Sequence, residues 1–246
     1  MGYAPASIIS YVCAISYVHK FRSLYDPTSS FIVQRLLAAV NKVSPQSDTR
    51  LPITLHILSD LVSALQHINI GPYYIVLLRA MFLVAFYGLF RIGEITAESD
   101  SQVVLRFGQW SFHNEHAIII MTNFKHNAGR QPFQIVLTKQ IDLNLCPVRA
   151  LVQYISFRGT SQGPLFCFPG FRPVSRNFFN NKLTTLLTYC GLQHSLYKSH
   201  SFRIGAASYY AAAGLSDEQI RLLGRWKSTA FRRYIRCERI LNSLPE

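Results

Sequence analysis

His200–Arg236 reads HSFRIGAASYYAAAGLSDEQIRLLGRWKSTAFRRYIR, and its punctuation divides it into helices without further help. A helix is predicted from Ser201 to Ala213, stopped by Gly214 as a C′ glycine. Ser216-Asp217-Glu218-Gln219 then forms a capping box, with Leu215 and Ile220 spaced as a hydrophobic staple. That second helix stops at Gly224, and Ser228 caps one more through Phe231 and Tyr234.

Upstream, Gly159–Ser175 is a Gly/Pro-rich loop, and Pro147 opens a helix (VRALVQYISF) at the favoured first position. Before it the period changes. VVLRFGQW, HAIIIMTNF and PFQIVL are β-branched and aromatic runs, the last two separated by the turn-rich His126-Asn127-Ala128-Gly129-Arg130. They predict a small antiparallel sheet over Val103–Leu137. Further back come a helix around His56–Ile68 and a long buried one from Pro72. The polar, Pro-containing Asn41–Arg50 is a linker, and residues Ala6 to Val40 are two amphipathic helices broken at Asp26-Pro27-Thr28-Ser29, with Ser29 or Ser30 as N-cap. The order gives a mostly α fold with a small antiparallel β-meander, an α+β class. Two parts are expected: a short helical arm over 1–46 and a main domain over 47–246.

The chain has 246 residues, of which 49% are hydrophobic, ample for a core. Charge is scarce but lopsided: 25 Lys+Arg against 12 Asp+Glu leave a formal +13. Such an excess favours a polyanionic partner, nucleic acid or an anionic membrane face. Five widely spaced cysteines without a C-x-x-C pair argue against a disulfide framework and a zinc ribbon. The most apolar run, Tyr73–Phe90, contains Arg79, which is costly near mid-bilayer, so a buried helix is expected rather than a membrane span. The N-terminus lacks the basic region of a signal peptide and the Ser/Thr of a myristoylation pattern.

Several residues carry possible chemistry, and each taken singly has an ordinary explanation. Arg91, in LFRIGE, ends an apolar helix, where an arginine commonly makes a solvent or carboxylate contact. His200-x-x-Arg203 sets two cationic-capable groups on one helix face near an N-terminus, a short pattern that chance supplies often. Trp226 more often packs than reacts. Tyr234 sits among Arg232, Arg233 and Arg236, which could be a solvated basic face. Lys125 lies beside a hairpin turn, where lysines are common.

As an ordered set they are not ordinary. Arg91, a β-hairpin Lys125, His200-x-x-Arg203, Gly224-Arg225-Trp226 and Tyr234 follow one another, with 26 residues from His200 to Trp226 and 8 from Trp226 to Tyr234. This order and spacing resemble the tyrosine recombinase (phage integrase) family over about Arg50 to Arg236. The texture around the motifs, such as RLPIT, CPVRAL and LGRWKS, looks most like recombinases of eukaryotic mobile elements of the Crypton or DIRS type.

The resemblance implies a tyrosine recombinase catalytic domain behind a helical core-binding arm. It implies a site-specific recombinase or integrase that cuts and rejoins DNA through a 3′-phosphotyrosyl link. Arg91 and Arg203 would clamp the nonbridging phosphate oxygens, a task suited to the guanidinium fork. His200 would donate to the same phosphate or help deprotonate the nucleophile. Trp226 occupies a slot that many members fill with histidine; its indole donates but cannot shuttle a proton. Lys125 would be general acid to the departing 5′-oxygen, and Tyr234 the nucleophile. Glu94 would orient Arg91 or form a plain surface pair. No metal or other cofactor is needed, since arginines supply the charge stabilisation.

Lys198 to Arg239 holds nine Lys/Arg against three acids, and Lys198, Arg225, Lys227, Arg232, Arg233 and Arg236 are the expected DNA contacts. The partners expected are double-stranded DNA and further copies of the chain, as dimer or tetramer, and no membrane. The expected location is the nucleus, or the cytoplasm if the source is not eukaryotic. Two departures stand out: the helical arm is short for this family, as if truncated, and only twelve residues follow Tyr234. Two rival functions remain open. One is a type IB topoisomerase-like nicking and closing enzyme; the other is a domesticated or truncated DNA-binding protein without recombination activity.

Overall fold

Helix α4, Pro72–Tyr87, is apolar on every side, and eleven of its sixteen residues are buried. A helix of that kind must be surrounded. In the computed structural model, which describes residues 3–43, 49–98, 102, 104–124, 127, 129 and 131–236, it packs against α3 (Leu55–Ala64), α6 (Pro147–Arg158) and α8 (Ser201–Ala212). Phe82 of α4 meets Phe179 of α7 (Arg176–Tyr189) at 5.3 Å, edge-on, and Phe202 of α8 at 5.2 Å between ring centroids. Such aromatic contacts add to simple burial at the centre of the core. Arg79, the one charge within α4, turns outward and donates to the carbonyl oxygens of Leu143 and Asn144 and to the amide of Gln153. Among the described residues no helix is long and apolar enough to cross a membrane.

The sheet is a three-stranded antiparallel meander in the order β1 (Trp110–His113), β2 (His116–Met121), β3 (Phe133–Leu137). Ala117 pairs with Leu137 and Ile119 with Ile135, and these residues form its buried face. Ile120 and Val136 point to the other side and are exposed, as the period of two requires. The first predicted strand is corrected. Of VVLRFGQW only Trp110 enters β1, and Phe107–Gln109 is a 3-10 turn. The chain there pairs elsewhere: the Phe107 amide donates to Gly163 and that of Leu165 to Leu105. Those bonds tie it to the 159–175 loop instead of extending β1.

That loop is organised by Arg158, which is 6% exposed and donates to the carbonyls of Gly159, Ser161, Pro164 and Leu165 between the rings of Phe107 and Phe171. Satisfying four loop carbonyls from one buried guanidinium lets an irregular segment pack tightly.

The chain divides into two compact units, Met1–Thr49 and Arg50–Glu246. In the first, α1 (Pro5–Phe21) and α2 (Phe31–Val43) flank a 3-10 turn at Pro27–Ser29. The predicted break falls where Asp26 accepts from the Thr28 amide, the Thr28 hydroxyl and the Ser16 hydroxyl. Those bonds hold its carboxyl well below the usual carboxylate range. Helix α2 reaches Val43, so the linker expected from Asn41 begins as helix, and 44–48 lie outside the described residues.

Candidate active site

The two helices that end at Tyr87 and Leu223 set up the site. After α4 the chain turns with Leu89 at φ +46°, its amide donating to Phe86 and that of Phe90 to Ala85. The short helix α9, Asp217–Leu223, ends in the same way: the Arg225 amide donates to Leu222 and that of Trp226 to Arg221, with Arg225 at φ +56°. This is a Schellman turn with arginine, not glycine, in the left-handed position. Gly224 itself has φ −80°. Its role is space, because a Cβ there would lie 1.6 Å from the Trp226 ring. The helix stops at Gly224 as its sequence indicates, with the left-handed position one residue later, whereas Gly214 itself takes φ +85° after α8.

The α4 turn points free carbonyls at two buried guanidiniums. Arg203, in the first turn of α8, is 1% exposed and donates to Leu89 and Gly224 carbonyl oxygens. Arg225 is 6% exposed and donates to the carbonyls of Gly88 at 3.2 Å and Leu89 at 3.1 Å. A helix C-terminus is a favourable place for a cation. Even so, burial lowers both arginines. Arg203 is pushed down to about 9 by desolvation and by the nearby charges of Arg91 and Arg225. For Arg225 the desolvation is opposed by Glu94. Arg225 thus does not join the exposed DNA-facing cations expected for it: its guanidinium is spent inside the protein.

Arg91 does not end the apolar helix. It precedes α5, Ile92–Ile95, and its amide donates to Glu94 Oε2 at 2.9 Å while its guanidinium donates to Oε1 at 3.2 Å. Glu94 is 8% exposed and also receives Arg225 Nη2 at 2.9 Å. One carboxylate therefore joins a cleft-facing arginine to a buried one, which is not a surface pair.

Around Arg203 the sequence-selected residues converge. Its guanidinium carbon lies 4.1 Å from the Trp226 ring centroid. Trp226 stacks on Tyr234 at 5.4 Å and 30°, and His200 lies 4.9 Å from Tyr234 between ring centroids. Tyr234 ends a 3-10 helix, Thr229–Tyr234, where an α-helix was expected. Ser208, fully buried in α8, anchors it: its hydroxyl lies 3.1 Å from the Tyr234 carbonyl and accepts from the Arg236 amide at 2.9 Å. Nothing in the sequence pattern marked Ser208 for that task.

The other tyrosines near these motifs are engaged elsewhere. Tyr210 donates to the Tyr87 carbonyl at 2.8 Å, Tyr209 packs on Phe86, and Tyr197 is 8% exposed. Beside the cluster opens a cleft of about 590 Å³ lined by Arg91, Gln102, Asn123, Arg176, Ser199 and His200. Lys125 lies outside the described residues, but its neighbour Phe124 lines that cleft and packs on Phe133 at 6.1 Å. Lys198, Lys227, Arg232 and Arg233 are exposed and Arg236 half-buried; Arg232 holds Asp217 at 2.8 Å. Arg176 belongs to no motif and was missed by the sequence reading.

No family's sequence profile matches this chain, and no curated protein matches it. Solved structures do. XerH site-specific recombinase bound to difH substrate superposes with a TM-score of 0.58 at 13% identity, over 80% of this chain and 54% of XerH. This chain thus spans about half the length of the XerH chain. XerA recombinase matches with a TM-score of 0.57 at 14% identity, over 99% of this chain and 84% of XerA. The Tn1549 transposon integrase in complex with circular intermediate DNA matches with 0.61 at 13% identity, over 99% and 81%. What the chain shares with these proteins is architecture: it has the fold of the tyrosine recombinase catalytic domain.

Proposed function

We propose that this chain is a site-specific DNA recombinase or integrase that cuts and rejoins strands through a 3′-phosphotyrosyl intermediate. The observation that carries the reading is the convergence of Arg203, Trp226, Tyr234 and His200 beside a cleft that Arg91 also lines. The likeness of fold to recombinases solved with DNA supports it.

In this reading the Tyr234 phenolic oxygen attacks the phosphorus of a backbone phosphate, and the bond to the 5′-oxygen breaks. His200 takes the phenol proton or donates to a nonbridging oxygen, and Lys125 gives a proton to the departing 5′-oxygen. Arg91, held by Glu94, and Arg203 stabilise the charge that gathers on the phosphate. In the free protein Arg203 bonds to two carbonyls, so binding a phosphate exchanges those bonds for oxyanion contacts. Trp226 covers the guanidinium and supports the Tyr234 ring. Attack by the freed 5′-hydroxyl on the phosphotyrosine reverses the steps, and exchange between duplexes requires several copies together on DNA. The Crypton- or DIRS-like texture of the motifs makes a mobile element the natural setting.

The inward engagement of Arg203 favours one second reading, a DNA-binding protein that no longer cleaves. Incubation with a nicked half-site duplex decides between them. A covalent 3′-phosphotyrosyl adduct supports the recombinase; DNA binding without adduct supports the second reading. A topological assay then separates strand exchange from simple relaxation.

A further inference from the structure

Arg176 opens helix α7, between Lys125 and His200 in sequence, and lines the cleft. Backbone bonds fix its position: its amide donates to Ala97 at 3.0 Å, and the Ala97 amide donates to Val174 at 2.9 Å, tying the start of α7 to the chain just after α5. Its guanidinium lies over Gly93, where a Cβ would come within 2.5 Å of Nη2. Gly93, Arg91, Glu94 and Arg176 line the same cleft. Arg176 forms an ion pair with Glu98, whose side chain is 63% exposed, and among the described residues its buried Nε has no hydrogen-bond partner.

In the free protein Arg203 is buried against two carbonyls, so among the described residues the arginines that line the cleft are Arg91 and Arg176. Arg91 has its counter-ion built in, since Glu94 is buried and shared with Arg225. The counter-ion of Arg176 is an exposed surface side chain, and such pairs contribute little in water. A phosphodiester entering the cleft displaces a carboxylate of that kind readily, because the guanidinium fork matches phosphate oxygens.

We propose that Arg176 is a DNA phosphate contact of this cleft, gripping a backbone phosphate next to the one at Arg91 and His200, with Glu98 as the counter-ion that DNA displaces. The inference rests on the reading of the cleft as a DNA site and adds a residue to it.

The two partners make opposite predictions for binding of a fluorescent mixed-sequence duplex. Arg176→Gln is expected to weaken binding about tenfold and to lower the slope of log affinity against log salt by about one. Glu98→Gln is expected to tighten binding about threefold by freeing the arginine, and the double variant should behave as Arg176→Gln. Thermal melting checks that each variant folds as the parent does. If both single variants keep the parent's affinity and slope, or if Glu98→Gln weakens binding, Arg176 holds only a surface pair and the proposal fails. If the parent itself does not bind duplex, the DNA reading fails and takes this inference with it.

Discussion

Arg225 and Glu94 stand 131 positions apart in the chain and meet at 2.9 Å, with side chains only 1% and 7% exposed. Through the other oxygen of the same carboxylate the pair also holds Arg91, so the turn before Trp226 and Tyr234 is locked to the arginine that faces the cleft. Breaking a buried pair on one side strands the other charge. Arg225→Met should destabilise the main domain by about 3 to 5 kcal/mol in urea unfolding. A loss below about 1 kcal/mol, the range of a surface pair, would show that the pair does not hold the turn.

Tyr234→Phe removes one oxygen and leaves its ring contacts with Trp226 and His200 in place. DNA binding should persist and the covalent adduct disappear. Arg203→Ala should slow adduct formation by about 100-fold or more, the scale of a lost oxyanion donor. An undiminished adduct rate in Tyr234→Phe assigns the nucleophile to another residue.

Arginines, a histidine and a lysine can supply the charge stabilisation of the transfer. Adduct formation on a nicked half-site should therefore survive EDTA. Loss in EDTA with recovery on adding magnesium would overturn the metal-free mechanism.

Under the proposed function the exposed cations Lys198, Lys227, Arg232 and Arg233, with Arg91 and Arg236, are the phosphate contacts. About six such contacts predict roughly a thousandfold loss of duplex affinity between about 50 and about 200 mM salt. A flat response would leave the electrostatic account without support.

Tyr73 donates to the Cys167 carbonyl at 2.9 Å, and burial pushes its phenol up to about 12 from 10.0. A raised phenol favours the folded state while both states are protonated. Its contribution is whole below pH 10 and is lost as pH rises towards about 12, because the unfolded chain ionises first. Urea midpoints should fall across that window, and Tyr73→Phe should flatten the fall. Tyrosinate absorbance from Tyr73 already complete near pH 10 would contradict this.

Local chemistry was readable without coordinates. The Gly214 stop, the Ser216–Gln219 capping box, Pro147 at its helix start and the β-branched and aromatic runs HAIIIM and FQIVL each depend on neighbours within a few residues, and all four stand in the structure. The ordered set from Arg91 to Tyr234 marked the residues that gather at one place, apart from Lys125, which lies outside the described residues. What a cation does was not readable. In a sequence, Arg158, Arg176, Arg203, Arg225 and Arg233 are alike, and charge is assigned to the surface by default. Burial of Arg203 and Arg225 depends on the free carbonyls at the end of α4, more than a hundred residues earlier, and on a carboxylate beside them. Only folding brings those acceptors together, and a guanidinium goes inside only where enough of them converge to replace water.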